Sequence, residues 1–327
     1  MVNDEDALLT VVLPLRDRPA YTEFFLRHAI HPQYRYLVLD GSVADDTASL
    51  FSAESRPNIE YIRYSPDLEF IDYIAKVGDG CRRVTTPYLV MIDNDDLLVP
   101  EGVEIALNAL LADPQASLAG GDLVGFCHPG PKSNRSSWPI RLTATKDLDL
   151  DDRREAIRRN RLGYRPIWNL VSRTSDFQHA WAAIEASSVI EPHLIEFLLS
   201  DLMLAAGRFR WQRIPHYLRL ENQHQRAIHD LQQSEEMTIG SRSWWTQGDE
   251  LQEIVAAALD ITSEDLPDLR SRWGLLTQGT SFPGPLGLQV RRLRTLLART
   301  TALPLSGVEW LAARGFVLSL PLYRPEG

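Results

Sequence analysis

The chain has 327 residues, 44% of them hydrophobic and 24% charged, with a formal net charge of -10 and two cysteines, Cys81 and Cys127. That length can bury a full core, while the acidic balance argues against nucleic acid as the main partner, since phosphate-backbone binding needs a basic face. The cysteines lack CxxC spacing, the start Asn3-Asp4-Glu5-Asp6 is acidic where a signal peptide is basic, and no apolar run reaches the ~18 residues of a membrane span; a cytoplasmic protein is expected.

Leu9-Thr10-Val11-Val12-Leu13-Pro14 is a β-branched apolar run stopped by proline and reads as a first strand. Arg16-Asp17-Arg18-Pro19 is a loop, and Tyr21 to His28 has helical periodicity. Tyr36 to Asp40 repeats the pattern of apolar strand then acid, followed by Gly41-Ser42 and a short helix through Phe51. Ile59 to Tyr64 is a third strand and Leu68 to Val84 a third helix. Tyr88-Leu89-Val90-Met91-Ile92 then reads as a strand buried on both faces, ending in Asp93-Asn94-Asp95-Asp96. Strand and helix alternating with short joins are the signature of parallel βαβ units. No strand-to-helix turn carries GxGxxG and no GxxxxGK[ST] occurs, so nicotinamide and P-loop chemistry lose ground.

Pro100 to Ala112 is a helix, Ala116 to Phe126 a strand broken by Gly120-Gly121, and His128 to Leu162 a long polar join. Trp168 to Ser172 returns to the sheet, Asp176 to Ile184 is helical, Pro192 to Gly207 is a helix ending at glycine, and Phe209 to Ile214 is a strand. Beyond Leu218 the reading is mostly helical, with a good helix over Leu251 to Leu259. An apolar stripe of Leu286, Val290, Leu293 and Leu297 is flanked by Arg291, Arg292, Arg294 and Arg299. Such a basic amphipathic helix packs on its own domain more often than it lies on an anionic membrane, and peripheral contact with the inner membrane face stays open, as does a homodimer.

Asp93, Asp95 and Asp96 fall at the carboxyl end of a parallel strand, where open α/β sheets bind ligands. Like charges at that spacing repel unless a cation sits among them, and hard oxygen donors suit Mg²⁺ or Mn²⁺. Strand ends and helix caps also use Asp and Asn, so the motif needs its context. That context is Pro14 with Asp17 after the first strand and Asp40-Gly41-Ser42 after the second, on the same sheet edge.

Together these features resemble the family-2 glycosyltransferases of GT-A fold, from about Leu9 to Pro215. Leu13-Pro14 with Arg16-Asp17-Arg18 stands at the family's proline-led turn, and Leu39-Asp40-Gly41-Ser42 resembles its Asp-Gly-Ser turn. Ile92-Asp93-Asn94-Asp95-Asp96-Leu97-Leu98-Val99-Pro100 is similar to its DxDD-x-x-x-Pro signature. Two departures stand out: Leu39 replaces an acid before Asp40, and Gly80-Cys81-Arg82-Arg83 replaces an Ala-Arg-Asn segment. The resemblance implies a GT-A domain over residues 1–217 with a mainly helical extension over 218–327. It implies a nucleotide-sugar donor, UDP-linked, and a saccharide or other hydroxyl acceptor.

By the same resemblance, Asp40 accepts from the nucleobase with Pro14 and Asp17 shaping that pocket, Arg82 takes the diphosphate and Asp93 the ribose. Asp95 binds the metal, with Asp96 beside it. An inverting displacement needs one carboxylate base, and counting back from Gly207 places Glu196 at the family's position, with Asp201 and Glu191 as rivals. Glu196 and Ser200 share a helix face, while Asp201 lies ~100° further round. His224 is the best-placed histidine to complete the metal shell, with His216 and His229 also available; Tyr164, Trp168, Trp244 and Trp245 are candidates to stack on a sugar. A nucleotidyltransferase and a nucleotide-sugar-binding protein without a base are the rival readings.

Overall fold

The computed structural model describes residues 7–52, 57–127, 138–143, 145–162, 165–220 and 242–266. Four parallel strands, β1 (Leu9–Leu15), β2 (Arg35–Asp40), β3 (Ile59–Arg63) and β4 (Tyr88–Met91), alternate with helices α1 (Pro19–His28), α2 (Asp46–Ser52) and α3 (Phe70–Arg83). Then come β5 (Leu97–Leu98), α4 (Pro100–Ala112), β6 (Ala116–Cys127), β7 (Trp138–Thr143), α5 (Arg153–Leu162), β8 (Val171–Arg173), α6 (Thr174–Ala186), α7 (Pro192–Ala206), β9 (Arg208–Leu220) and α8 (Arg242–Ala258). One sheet joins all nine described strands in the order β3-β2-β1-β4-β8-β6-β9-β5, with β7 paired to β6.

The apolar strand runs are explained by burial on both faces. Val12, Leu37, Leu39, Leu89 and Met91 point into a core shared with α3, α6, α7 and α8, and Val11, Leu13, Val38, Val90 and Ile92 into a second core under α1 and α4. Proline opens α1, α4 and α7 at or next to the first helical position, where its missing N–H costs nothing. Pro14 is tolerated inside β1 because the ladder to β4 has already ended at Val12 and Met91.

β8 runs antiparallel to β4 and to β6, while β9 is parallel to β6. The carboxyl ends of β1, β2, β4 and β9 therefore share one edge. α7 feeds β9 at the opposite edge, so its amino-terminal turns lie on the side of the acids. The boundary expected at residue 217 falls inside β9, and α8 packs on α7 through Leu251, Val255 and Ala256 in the same core. Gln247 of α8 accepts from the backbone N–H groups of Ile190 and Glu191 at 2.8 and 3.0 Å. The polar join holds β7 and α5, which periodicity alone did not reveal. The expected helix around Leu286 to Arg299, together with His224, His229 and Tyr164, lies outside the described residues. Among the described residues no helix is long and apolar enough to cross a membrane.

Candidate active site

Asp93, Asp95 and Asp96 follow β4 directly, and each offers a carboxylate oxygen within 4.8 Å of the others. Burial, then the neighbouring Asp95, push the Asp93 carboxyl up to about 7, against the pull of Arg219 and Arg18. Asp96 is also raised well above the usual carboxylate range, by burial and by both other acids, although Tyr217 of β9 donates its hydroxyl to it. Such a cluster of hard oxygen donors, held together against its own repulsion, fits a divalent cation.

The segment after β1 reaches this cluster from the other side. Asp17 and Arg18 both adopt left-handed backbone, with φ of 57° and 62°. Neither is glycine, and strain of this kind costs on the order of 1–3 kcal/mol per residue unless the surroundings impose it. Here Asp17 Oδ1 accepts from the backbone N–H of Val43 at 2.9 Å, and its own N–H donates to Ser42 Oγ at 2.7 Å. Arg18 Nη1 donates to Asp95 Oδ2 at 2.9 Å. Asn94 Nδ2 ties the same turn to the acids by donating to Thr22 Oγ1 at 2.9 Å.

Asp40 is fully buried at the end of β2. Its Oδ1 accepts from the backbone and hydroxyl of Ser42, and its Oδ2 from Tyr61 at 2.6 Å and Arg63 at 2.8 Å. Burial alone would raise its pKa, but these donors outweigh burial and hold the group below the usual carboxylate range. Both oxygens are thus committed to the protein, and Asp40 braces the pocket that was expected to receive a base. Beside it Lys76, one of only three lysines in the chain, is buried on α3 and donates to Leu15 O at 2.8 Å and to Asp67. Burial pushes Asp67 up and Lys76 down despite their pairing. Gly41 is required there, since a Cβ would sit 2.2 Å from Asp67 Oδ1.

Glu196, in the second turn of α7, lies within electrostatic reach of Asp93, Tyr73 and Arg219. Glu196 is therefore the α7 acid that shares an electrostatic environment with the cluster. Asp201 is not there. Its position about 140° around α7 from Glu196 turns it into the core, where Arg161 Nε of α5 donates to Oδ2 at 2.7 Å with both side chains buried. Glu191 is a helix cap, accepting from Leu194 N–H at 2.8 Å and lying 2.8 Å from His193 Nδ1. Burial also removes His216, whose imidazole is pushed down to about 4.

Arg82 does not reach the cluster. α3 begins at the carboxyl edge and runs about 20 Å to the opposite one, carrying Arg82 to its last turn, where Nη1 pairs with Glu185 of α6 at 2.6 Å. Sequence position alone does not show which end of a helix faces the ligand. Arg18, Tyr61, Arg63, Asp67, Tyr73, Lys76, Tyr217 and Arg219 were not singled out as site residues from sequence. Lys76 alone left a signal, a lysine in an arginine-dominated chain on the apolar face of a helix. Trp168 and Trp245 pack against the core.

The sheet order, the reversed strand β8 and the acid cluster at the carboxyl edge define the GT-A glycosyltransferase fold. Solved structures with this fold include S. aureus TarS, at 13% identity and a TM-score of 0.51, covering 90% of this chain. A structure of TarS residues 1–349 in complex with UDP-GlcNAc matches at 12% identity and a TM-score of 0.50, over 95% of this chain and 88% of that one. The chain spans about half, 49%, of the longer TarS structure. No protein-family model and no curated protein sequence matches it.

Proposed function

We propose that the protein is a metal-dependent family-2 glycosyltransferase that moves a sugar from a nucleotide donor, UDP-linked, to a saccharide or other hydroxyl acceptor with inversion. The observation that carries this reading is the triad of carboxylate oxygens within 4.8 Å at the sheet's carboxyl edge, with Glu196 in electrostatic reach of Asp93. The UDP-GlcNAc complex of a protein with the same fold supports the choice of donor class.

Asp95, with Asp96 beside it, would hold Mn²⁺ or Mg²⁺, which supplies positive charge for the diphosphate leaving group. Asp93 takes the ribose. The pocket braced by Pro14, Asp17 and Asp40 takes the base through its walls, since the oxygens of Asp40 already have donors. Glu196 accepts the acceptor hydroxyl's proton as the new bond forms between that oxygen and the anomeric carbon. The bond from the anomeric carbon to the phosphate oxygen breaks in the same step, and the nucleoside diphosphate leaves with the electron pair. One base therefore suffices and no glycosyl-enzyme forms.

Screening nucleotide sugars for nucleoside diphosphate release tests the reading without knowledge of the acceptor. Slow release from at least one UDP-sugar, lost in Glu196→Gln while donor binding persists, is the expected result. Absence of turnover with every nucleotide sugar, or undiminished turnover in Glu196→Gln, would contradict it.

A further inference from the structure

With Arg82 at the far edge, the diphosphate needs another cation, and we infer that Arg18 supplies it: its guanidinium, now on Asp95, binds the phosphate furthest from the nucleoside when donor is present. This assignment rests on the nucleotide-sugar reading. Two other cations near the site, Arg63 and Lys76, are committed to protein acceptors. Arg63 Nη1 is held by Asp40, and its Nη2 by the carbonyls of Ser42 and Ala44 at 2.7 and 3.3 Å. Lys76 is buried against Leu15 O and Asp67. Arg219 lies on the β9 side, among Asp96, Asp93 and Glu196, where the acceptor base sits.

Arg18 is about as open to solvent as Arg63, which is 28% exposed, and is set apart by the group it pairs with. Its side chain is 22% exposed, and the acceptor it reaches, Asp95, is the acid assigned to the metal. A guanidinium presents five donors in a planar fork, which matches phosphate oxygens as well as a carboxylate. The backbone that carries it is fixed by its neighbours. Asp17 and Arg18 hold consecutive left-handed conformations, the first clamped to the Ser42–Ala44 loop and the second followed by Pro19 at the head of α1. In this arrangement Arg18 keeps Asp95 neutralised before the metal arrives and turns to the phosphate once the metal takes over that carboxylate.

The test compares UDP with UMP, which lacks the outer phosphate, in calorimetric titrations of the full chain with Mn²⁺. Manganese affinity without nucleotide is read separately by electron paramagnetic resonance. Arg18→Gln is expected to weaken UDP about 10- to 100-fold, the range for loss of charge-assisted hydrogen bonds, and to change UMP affinity less than about threefold. Arg18→Lys should fall between, keeping the charge and losing the fork. Equal weakening of UDP and UMP would overturn the assignment, as would tighter Mn²⁺ binding with UDP affinity unchanged, which would make Arg18 a cover for Asp95 only. Wild-type protein that binds neither nucleotide would overturn the nucleotide-sugar reading and this assignment with it.

Discussion

Replacing Asp201 by alanine separates two roles that sequence left side by side on α7. Asp201 and Arg161 are both buried, 2.7 Å apart, and Arg161 Nη1 also donates to Gln252 of α8, so the pair ties α5 to α7 and α8. Removing one member of a buried ion pair leaves the other charge uncompensated at a cost of about 3–5 kcal/mol. For a domain of this size about 1 kcal/mol moves the melting temperature by ~2–4 °C, giving a fall of roughly 6–20 °C in Asp201→Ala by scanning calorimetry. The double variant Asp201→Leu with Arg161→Met should recover most of that loss, because packed apolar side chains replace a buried pair at little cost. Nucleotide binding at low temperature should persist in both. Unchanged melting in Asp201→Ala with abolished transfer would refute the argument and return Asp201 to the list of bases.

Gly41→Ala drives a Cβ to 2.2 Å from Asp67 Oδ1, and the carboxylate cannot retreat while Lys76 holds it; a loss of about 1–3 kcal/mol in urea unfolding is expected, and full stability would show that the contact relaxes. His216 has a folded-state pKa of about 4 against 6.5 for the free side chain, so the imidazole stays neutral in the fold at pH values where the unfolded chain binds a proton. Its contribution is complete above about pH 6.5 and falls as pH drops to about 4, by ~3 kcal/mol at most. The stability difference between wild type and His216→Asn should therefore shrink from pH 7.5 to pH 4.5, and a constant difference would contradict burial of the neutral ring.

The parallel half of the sheet was legible because strands covered on both faces are apolar without interruption, and the acids that end them then stand out. β5 has two residues, too few for any period, and α5 hides because its buried face carries Asn160 and Arg161 beside Ala156 and Ile157. Missing α5 also obscured Asp201, whose partner lies on it. α7 is apolar nearly all round, so only its neighbours decide that Asp201 turns into the core while Glu196 stays within electrostatic reach of Asp93. The cations were hardest to place. Arg82 lies in a segment that departs from the family pattern and sits at the far end of α3, while Arg18 and Arg219 become visible only when separate segments meet around the acids.

Calorimetric titration of UDP into the full chain, with Mn²⁺ and with chelator, in wild type and in Asp95→Ala, tests the central claim most directly. Binding that needs the metal and disappears in Asp95→Ala is predicted. Binding of equal strength in chelator, or undiminished in the variant, would contradict it.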